Sequence, residues 1–325
     1  MTETGHGRGH KDHDGHTGHK RFVVFVVVAT VVIAAVARCG AQAPPAQPTA
    51  PPRFDGDRAF QDLRELVDIG PRPAGSEGIK KTRAYITKKL MEAGLTPVEQ
   101  AFEAQTPLGP IRMVNIRATL PGQEQSRGRI VIGGHYDTKL IKEFRFVGAS
   151  DAGSSAAFLL ELARALKGRV NAMPIELLFL DGEEAVVDWH LPNAQDHTYG
   201  SRYYVEQLKK TATVKDVRAF ILVDMIGDRD LGILREQNST PWLTDIVWSA
   251  AQRLKRPEFL AGSTPIEDDH LEFLAAGIPS VDIIDLDYSA WHTADDTLDR
   301  VSANSLQVVG DVLLAALPAI ENRLK

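Results

Sequence analysis

The sequence predicts an α/β fold, a three-layer sandwich in which helices flank a mixed, mainly parallel central sheet. Short apolar runs rich in β-branched residues recur along the chain, and each run is bounded by turn residues. Segments with helical periodicity lie between these runs. Such alternation is typical of a sheet that is covered by helices on both faces. The chain has 325 residues, of which 43% are hydrophobic and 25% are charged, so it can bury a large core.

The predicted strands and helices follow one another in the order that such a sheet requires. Strands are predicted at residues 114–120, 129–133, 175–180, 219–223 and 281–286. Helices are predicted at residues 154–166, 203–209, 242–254 and 302–317. In open α/β sheets the ligand binds beyond the carboxyl ends of the strands, so functional side chains should follow the strands.

Three segments precede the predicted domain. Residues 1–21 are polar and hold five of the ten histidines, which indicates a disordered, His-rich tail. Residues 22–38 are an apolar run after two basic residues, a pattern that predicts a signal peptide or a signal anchor. The basic flank would keep the tail in the cytoplasm, so the rest of the chain is expected to be membrane-anchored or exported. Residues 39–53 are a Pro-rich linker, and residues 54–325 form one α/β domain.

The composition excludes several kinds of partner and site. Lysine and arginine number 37 and aspartate and glutamate 43, which gives a formal net charge of -6. No nucleic-acid partner is therefore expected. The single cysteine, Cys39, excludes an internal disulfide and a cysteine-based zinc module. A bound metal would have to use histidine and carboxylate ligands.

Acidic residues and histidines cluster near the ends of the predicted strands. The clusters are GGHYD (133–137), SDAG (150–153), DGEE (181–184), Asp224, EDDH (267–270) and WHT (291–293). Each has an ordinary interpretation as a polar loop or, for Asp151, as a helix N-cap. Adjacent Glu183 and Glu184 after an apolar strand are nevertheless costly to bury without a cation. Ligands of these types suit a catalytic zinc with an open position, although magnesium and manganese are chemical alternatives.

This series of motifs resembles the zinc-dependent glutaminyl-peptide cyclotransferases (glutaminyl cyclases) of the animal type. They share their fold with the zinc aminopeptidases of the bacterial leucyl aminopeptidase class. The motifs common to both classes are IGPRPAGSEG (69–78), GGHYDTK (133–139), GASDAG (148–153), DGEE (181–184) and YGSR (199–202). Three features favour the cyclase: Trp189 after the paired glutamates, Glu267 ahead of the following acidic residues, and Trp291 directly before His292.

The resemblance implies a metal site. Asp151, Glu184 and His292 would hold one zinc ion, with a fourth position left for the substrate. The aminopeptidases bind two zinc ions, and His135 and Asp224 match the residues that would complete a second site with Asp151 as the bridge. The ligands alone therefore leave one zinc or two open.

The resemblance also implies catalytic and substrate-binding roles. Glu183 would take a proton from the α-amine of an N-terminal glutamine and deliver it to the departing ammonia. Asp268, hydrogen-bonded to Asp224, would orient the amine. Trp189 and Trp291 would line the pocket.

Three functions remain open from the sequence. The first is cyclisation of the N-terminal glutamine of peptides or proteins to pyroglutamate with release of ammonia. The second is a two-zinc aminopeptidase, in which Glu183 would activate a bridging water. The third is a non-catalytic binding domain on the same fold.

Overall fold

A six-stranded mixed sheet forms the centre of the computed structural model, which describes residues 53–192 and 195–325. The strands are β1 (Val98–Thr106), β2 (Gly109–Leu120), β3 (Arg129–His135), β4 (Ile175–Leu180), β5 (Val217–Asp224), β6 (Ile233–Glu236), β7 (Phe259–Thr264) and β8 (Ser280–Ile284). The central sheet has the order β1-β2-β4-β3-β5-β8, and β6 pairs with β7 in a separate two-stranded sheet. Pairs β1–β2 and β2–β4 are antiparallel, whereas β3–β4, β3–β5 and β5–β8 are parallel.

Helices cover both faces of this sheet. They are α1 (Gly56–Ile69), α2 (Glu77–Glu92), α3 (Ser155–Leu166), α4 (Tyr199–Lys210), α5 (Pro241–Arg253), α6 (His270–Ala275) and α7 (Ala303–Arg323). The larger apolar core packs α1, α2, α3, α5 and α7 against one face. A smaller core packs α4 and α6 against the other face, with Tyr204 and Phe273 as the largest side chains from the two helices. The predicted three-layer α/β fold is confirmed.

The parallel strands are buried along nearly their whole length. Every residue of β4 and β8 is buried, as is nearly every residue of β3 and β5. Strands covered on both faces need unbroken apolar runs, and for this reason the sequence pattern located them. Their carboxyl ends meet at one edge of the sheet, where the acidic clusters follow.

The structure also contains elements that periodicity did not predict. These are β1, β6, β7, α1, α2 and α6. Strand β1 is an edge strand whose residues are mostly exposed, so it lacks an apolar run. Helix α4 begins at Tyr199 rather than at residue 203, and α7 continues past residue 317 to Arg323.

Membrane attachment stays a prediction. In the part of the chain that the structure describes, α7 is the one helix long and apolar enough to cross a membrane, yet 61% of its apolar window is buried. It packs against α1 and α5 and is therefore a core helix of the domain. The predicted tail, apolar segment and most of the linker (1–52) lie outside the described residues.

Candidate metal centre and active site

Two neighbouring strands bring together a first group of metal-ligand side chains. His135 ends β3 and Asp224 ends β5, and these strands are paired. His135 Nε2 lies 3.1 Å from Asp224 Oδ1 and 3.2 Å from Asp151 Oδ1. All three residues are buried. We call His135, Asp151 and Asp224 the inner group.

A second group shares Asp151 with the first. His292 Nε2 lies 3.0 Å from Glu184 Oε1 and 3.2 Å from Asp151 Oδ2. We call Asp151, Glu184 and His292 the outer group. In each group one ligand atom per residue lies within 4.8 Å of the others. Asp151 therefore presents one carboxylate oxygen to each group.

Asp151 lies in a turn whose backbone is hydrogen-bonded to Asp296. The backbone N–H groups of Ser150 and Asp151 donate to the Asp296 carboxylate at 2.8 and 3.2 Å. Helix α3 begins four residues later at Ser155, and the Asp151 side chain faces the two histidines. Its alternative interpretation as a helix N-cap is therefore wrong.

Arg72, from the IGPRPAGSEG motif, supports the same turn. Its guanidinium is fully buried and donates to the carbonyls of Val147 at 2.6 Å and Gly148 at 2.8 Å. Burial lowers the pKa of Arg72 to about 10. Gly148 has φ 51°, and a Cβ there would meet the Asp151 carbonyl oxygen at 1.8 Å, so only glycine fits. Neither Arg72 nor Asp296 is among the site residues that the sequence predicts.

Asp137 positions the paired glutamates that follow β4. Its carboxylate accepts hydrogen bonds from the backbone N–H groups of Glu183 at 3.2 Å and Glu184 at 3.3 Å. Glu184 thereby faces His292, while Glu183 Oε2 lies 3.6 Å from His135 Nδ1. Asp137 was also overlooked, although its place two residues after His135 in GGHYDTK was a signal.

The donor set fits a zinc ion. Five buried carboxylates border the cavity here, namely Asp151, Glu183, Glu184, Asp224 and Asp268, and a sixth, Asp137, lies 3.5 Å from His135 Nδ1. The cationic side chains beside them are the two imidazoles and Lys139, whose Nζ lies 3.7 Å from Glu184 Oε2. Concentrating so much buried negative charge is costly without a further cation. Oxygen and imidazole ligands in this number suit zinc.

Glu183 lies in an environment that suits acid–base work. It is 7% exposed and borders the cavity beside the outer group. Burial raises the pKa of Glu183 well above its usual value; His135 opposes this rise, and the charges of Asp268 and Glu184 increase it. A carboxyl group whose pKa is raised holds a proton more readily than an ordinary glutamate, which suits a residue that accepts a proton and returns it.

Asp268 is buried in the cavity wall. It accepts a hydrogen bond from the backbone of Asp269 at 2.5 Å. Burial raises the pKa of Asp268 well above its usual value, and the charge of Asp224 adds to the rise. The resemblance implies a hydrogen bond between Asp268 and Asp224, which would need a proton on one of the two carboxylates. That bond stays a prediction.

A cavity of about 640 Å³ opens over these side chains. Of the nine predicted site residues, all line it except His135: Asp151, Glu183, Glu184, Trp189, Asp224, Asp268, Trp291 and His292. Trp189 stacks on His197 at 4.0 Å between ring centroids, and its Nε1–H donates to Glu267 Oε2 at 3.2 Å. Trp291 is 45% exposed and stacks on His292 at 4.5 Å. The tryptophans are therefore cavity residues and not core residues.

The chain is similar to known proteins of one family. Residues 115–317 match the model of peptidase family M28. A glutaminyl-peptide cyclotransferase-like protein of Bos taurus is 32% identical over 267 residues, which are 72% of this chain and 68% of the relative. A glutaminyl-peptide cyclotransferase of Drosophila melanogaster is 28% identical, with 76% of this chain and 78% of the relative covered.

A solved structure extends the likeness to the fold. The glutaminyl cyclase of an Acidobacteriales bacterium is 39% identical and superposes with a TM-score of 0.80. The match covers 87% of this chain and all of that one. The chain belongs to peptidase family M28, and within it to the group of the glutaminyl-peptide cyclotransferases.

Proposed function

We propose that this chain is a zinc-dependent glutaminyl-peptide cyclotransferase that converts the N-terminal glutamine of peptides or proteins to pyroglutamate. The α-amine nitrogen attacks the γ-carbonyl carbon, the bond from that carbon to the amide nitrogen breaks, and ammonia leaves. The observation that carries the proposal is a cavity whose wall contains two tryptophans, Glu183 and the outer group. The names of the relatives support the same activity.

Asp151, Glu184 and His292 would hold the zinc ion in this proposal. When bound, the ion supplies Lewis-acid polarisation of a carbonyl oxygen. The outer group is suited to this role because it borders the cavity, which a substrate can enter. Asp137 keeps Glu184 in place, and Asp296 keeps Asp151 in place, so the ligand positions are set before substrate arrives.

Glu183 is proposed to carry the proton. Its raised pKa lets the carboxylate take a proton from the attacking amine and return it to the departing ammonia. Asp268, beside Asp224, would accept a hydrogen bond from the amine and stabilise the charge that develops there. Trp189 and Trp291 would enclose the glutaminyl side chain between apolar faces. Since ring closure is intramolecular, holding the two reacting ends together supplies part of the rate.

A second candidate function is a two-zinc aminopeptidase. The inner and outer groups share Asp151, whose two oxygens point to different histidines. That arrangement is suited to two bridged metal ions, which is the observation that favours this candidate. Glu183 would then activate a bridging water for hydrolysis of the first peptide bond.

One assay separates the two candidates. The full-length chain in detergent, with zinc, is given a peptide that begins with glutamine and a matched peptide that begins with leucine. Cyclisation removes the mass of one ammonia from the first peptide, faster than its spontaneous closure, and leaves the second intact. Release of a free amino acid from either peptide would favour the aminopeptidase. Glu183→Gln should remove turnover but keep zinc, and an active Glu183→Gln enzyme would contradict the mechanism.

We also propose that residues 22–38 attach the chain to a membrane with its catalytic domain outside the cytoplasm. The apolar run and the basic residues before it support this topology. Added protease should then digest the domain when the compartments outside the cytoplasm are opened and the cytoplasm stays sealed. A domain that is digested only after the cytoplasm is opened would contradict the proposed location.

A further inference from the structure

A buried carboxylate lies behind the wall of the cavity, outside the residues assigned above. Glu236 ends β6 and is 3% exposed. Its oxygens accept six hydrogen bonds, from Asn238 N at 2.9 Å, Asn238 Nδ2 at 2.8 Å, Ile266 N at 3.3 Å, Ser239 N at 2.6 Å, Ser239 Oγ at 2.9 Å and His270 Nε2 at 3.0 Å. Burial opposes ionisation, but these bonds, with His270 first, lower the pKa of Glu236 to about 2.

This single carboxylate holds both ends of a short wall segment. Glu236 Oε1 binds the backbone N–H of Ile266, and Glu236 Oε2 binds the His270 ring. Asp268 lies midway between these two attachment points and faces the cavity. The position of Asp268 therefore depends on a residue that does not line the cavity itself.

The other ring nitrogen of His270 faces the central sheet. Its Nδ1 lies 3.5 Å from Asp282 Oδ2 on β8, and both residues are completely buried. The ring thus lies between Glu236 of the two-stranded sheet and Asp282 of the central sheet. Helix α6 begins at His270.

We infer that Glu236 is a positioning residue for turnover, because through His270 and Ile266 it sets the place of Asp268 in the cavity wall. The inference rests on the proposed function, in which Asp268 orients the attacking amine. Glu236 itself touches neither substrate nor the metal ligands. Its effect should therefore appear in the rate of the chemical step and not in the zinc content.

The substitution Glu236→Gln tests the inference with little change of volume. All six partners of the carboxylate are donors, and three of them face each oxygen. An amide has one oxygen and one NH2 group, so in either orientation the NH2 group meets three donors. One attachment of the wall segment is lost in each case, either that of Ile266 or that of His270.

A matched control lies at the opposite end of the strands from the cavity. Glu321 is 5% exposed, pairs with Arg169 at 2.5 Å and accepts the backbone N–H of Ala172 at 3.0 Å. These partners precede the amino end of β4, away from the cavity. Glu321→Gln therefore loses comparable buried interactions without touching the wall segment.

The experiment measures kcat, KM, zinc content and Tm for the full-length chain and its variants, with a peptide that begins with glutamine. We expect Glu236→Gln to lower kcat about 10- to 100-fold, with KM within about threefold and zinc content unchanged. His270→Gln should also lower kcat, because it removes the ring that attaches this end of the wall segment to Glu236. Glu321→Gln should lower Tm but keep kcat.

Each other result has a definite meaning. If the wild type is active and Glu236→Gln keeps kcat within about twofold, the inference is overturned and the proposed function stands. Equal losses of kcat in Glu236→Gln and Glu321→Gln, in step with Tm, would show a general stability effect and also overturn it. A wild type that cyclises no glutamine peptide overturns the proposed function, and the inference with it.

Discussion

The inner and outer groups share Asp151 but differ in how the chain builds them. The inner group takes His135 and Asp224 from the ends of two paired strands, and all of its side chains are buried. The outer group takes Glu184 and His292 from loops, and the His292 side chain is 26% exposed toward the cavity. Strand ends give fixed positions, whereas loops give access. The outer group is therefore where we expect substrate and zinc to meet.

The largest expected effect comes from the residue that both groups share. Asp151→Asn removes the negative charge between His135 and His292, so zinc affinity should fall more than about 100-fold, beyond the usual effect of a supporting residue. Activity should fall with it. Equilibrium dialysis against buffered zinc measures the change, and Asp188→Asn on the exposed cavity rim is the control. If Asp151→Asn kept full zinc occupancy, Asp151 would not be a zinc ligand.

The next prediction compares the two histidines directly. His292→Ala should lose the zinc ion and turnover, because the outer group then keeps only two ligands. His135→Ala should keep one zinc per chain and lose less activity, since the buried ring balances charge near Glu183 and Asp224. Metal analysis of both purified variants tests this order. A wild type with two zinc ions, of which His135→Ala loses one, would instead support the aminopeptidase.

A smaller effect is expected from the support beneath Asp151. Asp296→Asn places an amide where the carboxylate accepts from Ser150 and Asp151 and from the hydroxyl of Tyr288. The free energy of unfolding should fall by about 1–3 kcal/mol, measured by urea denaturation. Tyr288→Phe removes only the hydroxyl and should cost about 1 kcal/mol or less. Equal effects of the two variants would mean that Asp296 does not hold the turn.

The last expected effect lies outside both groups and appears only in acid. The pKa of Glu236 is lowered from 4.5 to about 2, so its ionised form stabilises the folded state above pH 4.5. That contribution is lost as pH falls from 4.5 through about 2. The free energy of unfolding, measured in the presence of a chelator, should therefore fall more steeply as the pH is lowered in the wild type than in Glu236→Gln. Parallel curves would contradict the low pKa.

The central strands could be predicted because each leaves a local signal. β4 reads IELLFL and is buried at every position, so its apolar run and its end are visible in the sequence. The paired glutamates after it were recognisable because charged residues are rarely buried without a partner. β1 and β6 left no such signal, because one is largely exposed and the other has four residues.

The supporting residues could not be predicted, because each acts over a long sequence distance. Asp296 binds a turn 145 residues earlier in the chain, and Glu236 binds a histidine 34 residues later. Neither residue differs in its local pattern from an ordinary acidic loop residue. Asp137 is the exception, since its place in a motif next to His135 could have been used.

The sequence by itself determined the order of layers and the residue types at the strand ends, because buried strands require apolar runs and metal ligands require particular side chains. Only the tertiary structure decided which of those side chains meet. The strand order β4-β3-β5 brings His135 and Asp224 together, and it makes one carboxylate, Asp151, common to two groups. Such contacts depend on how strands pair in space, which no local pattern of residues encodes.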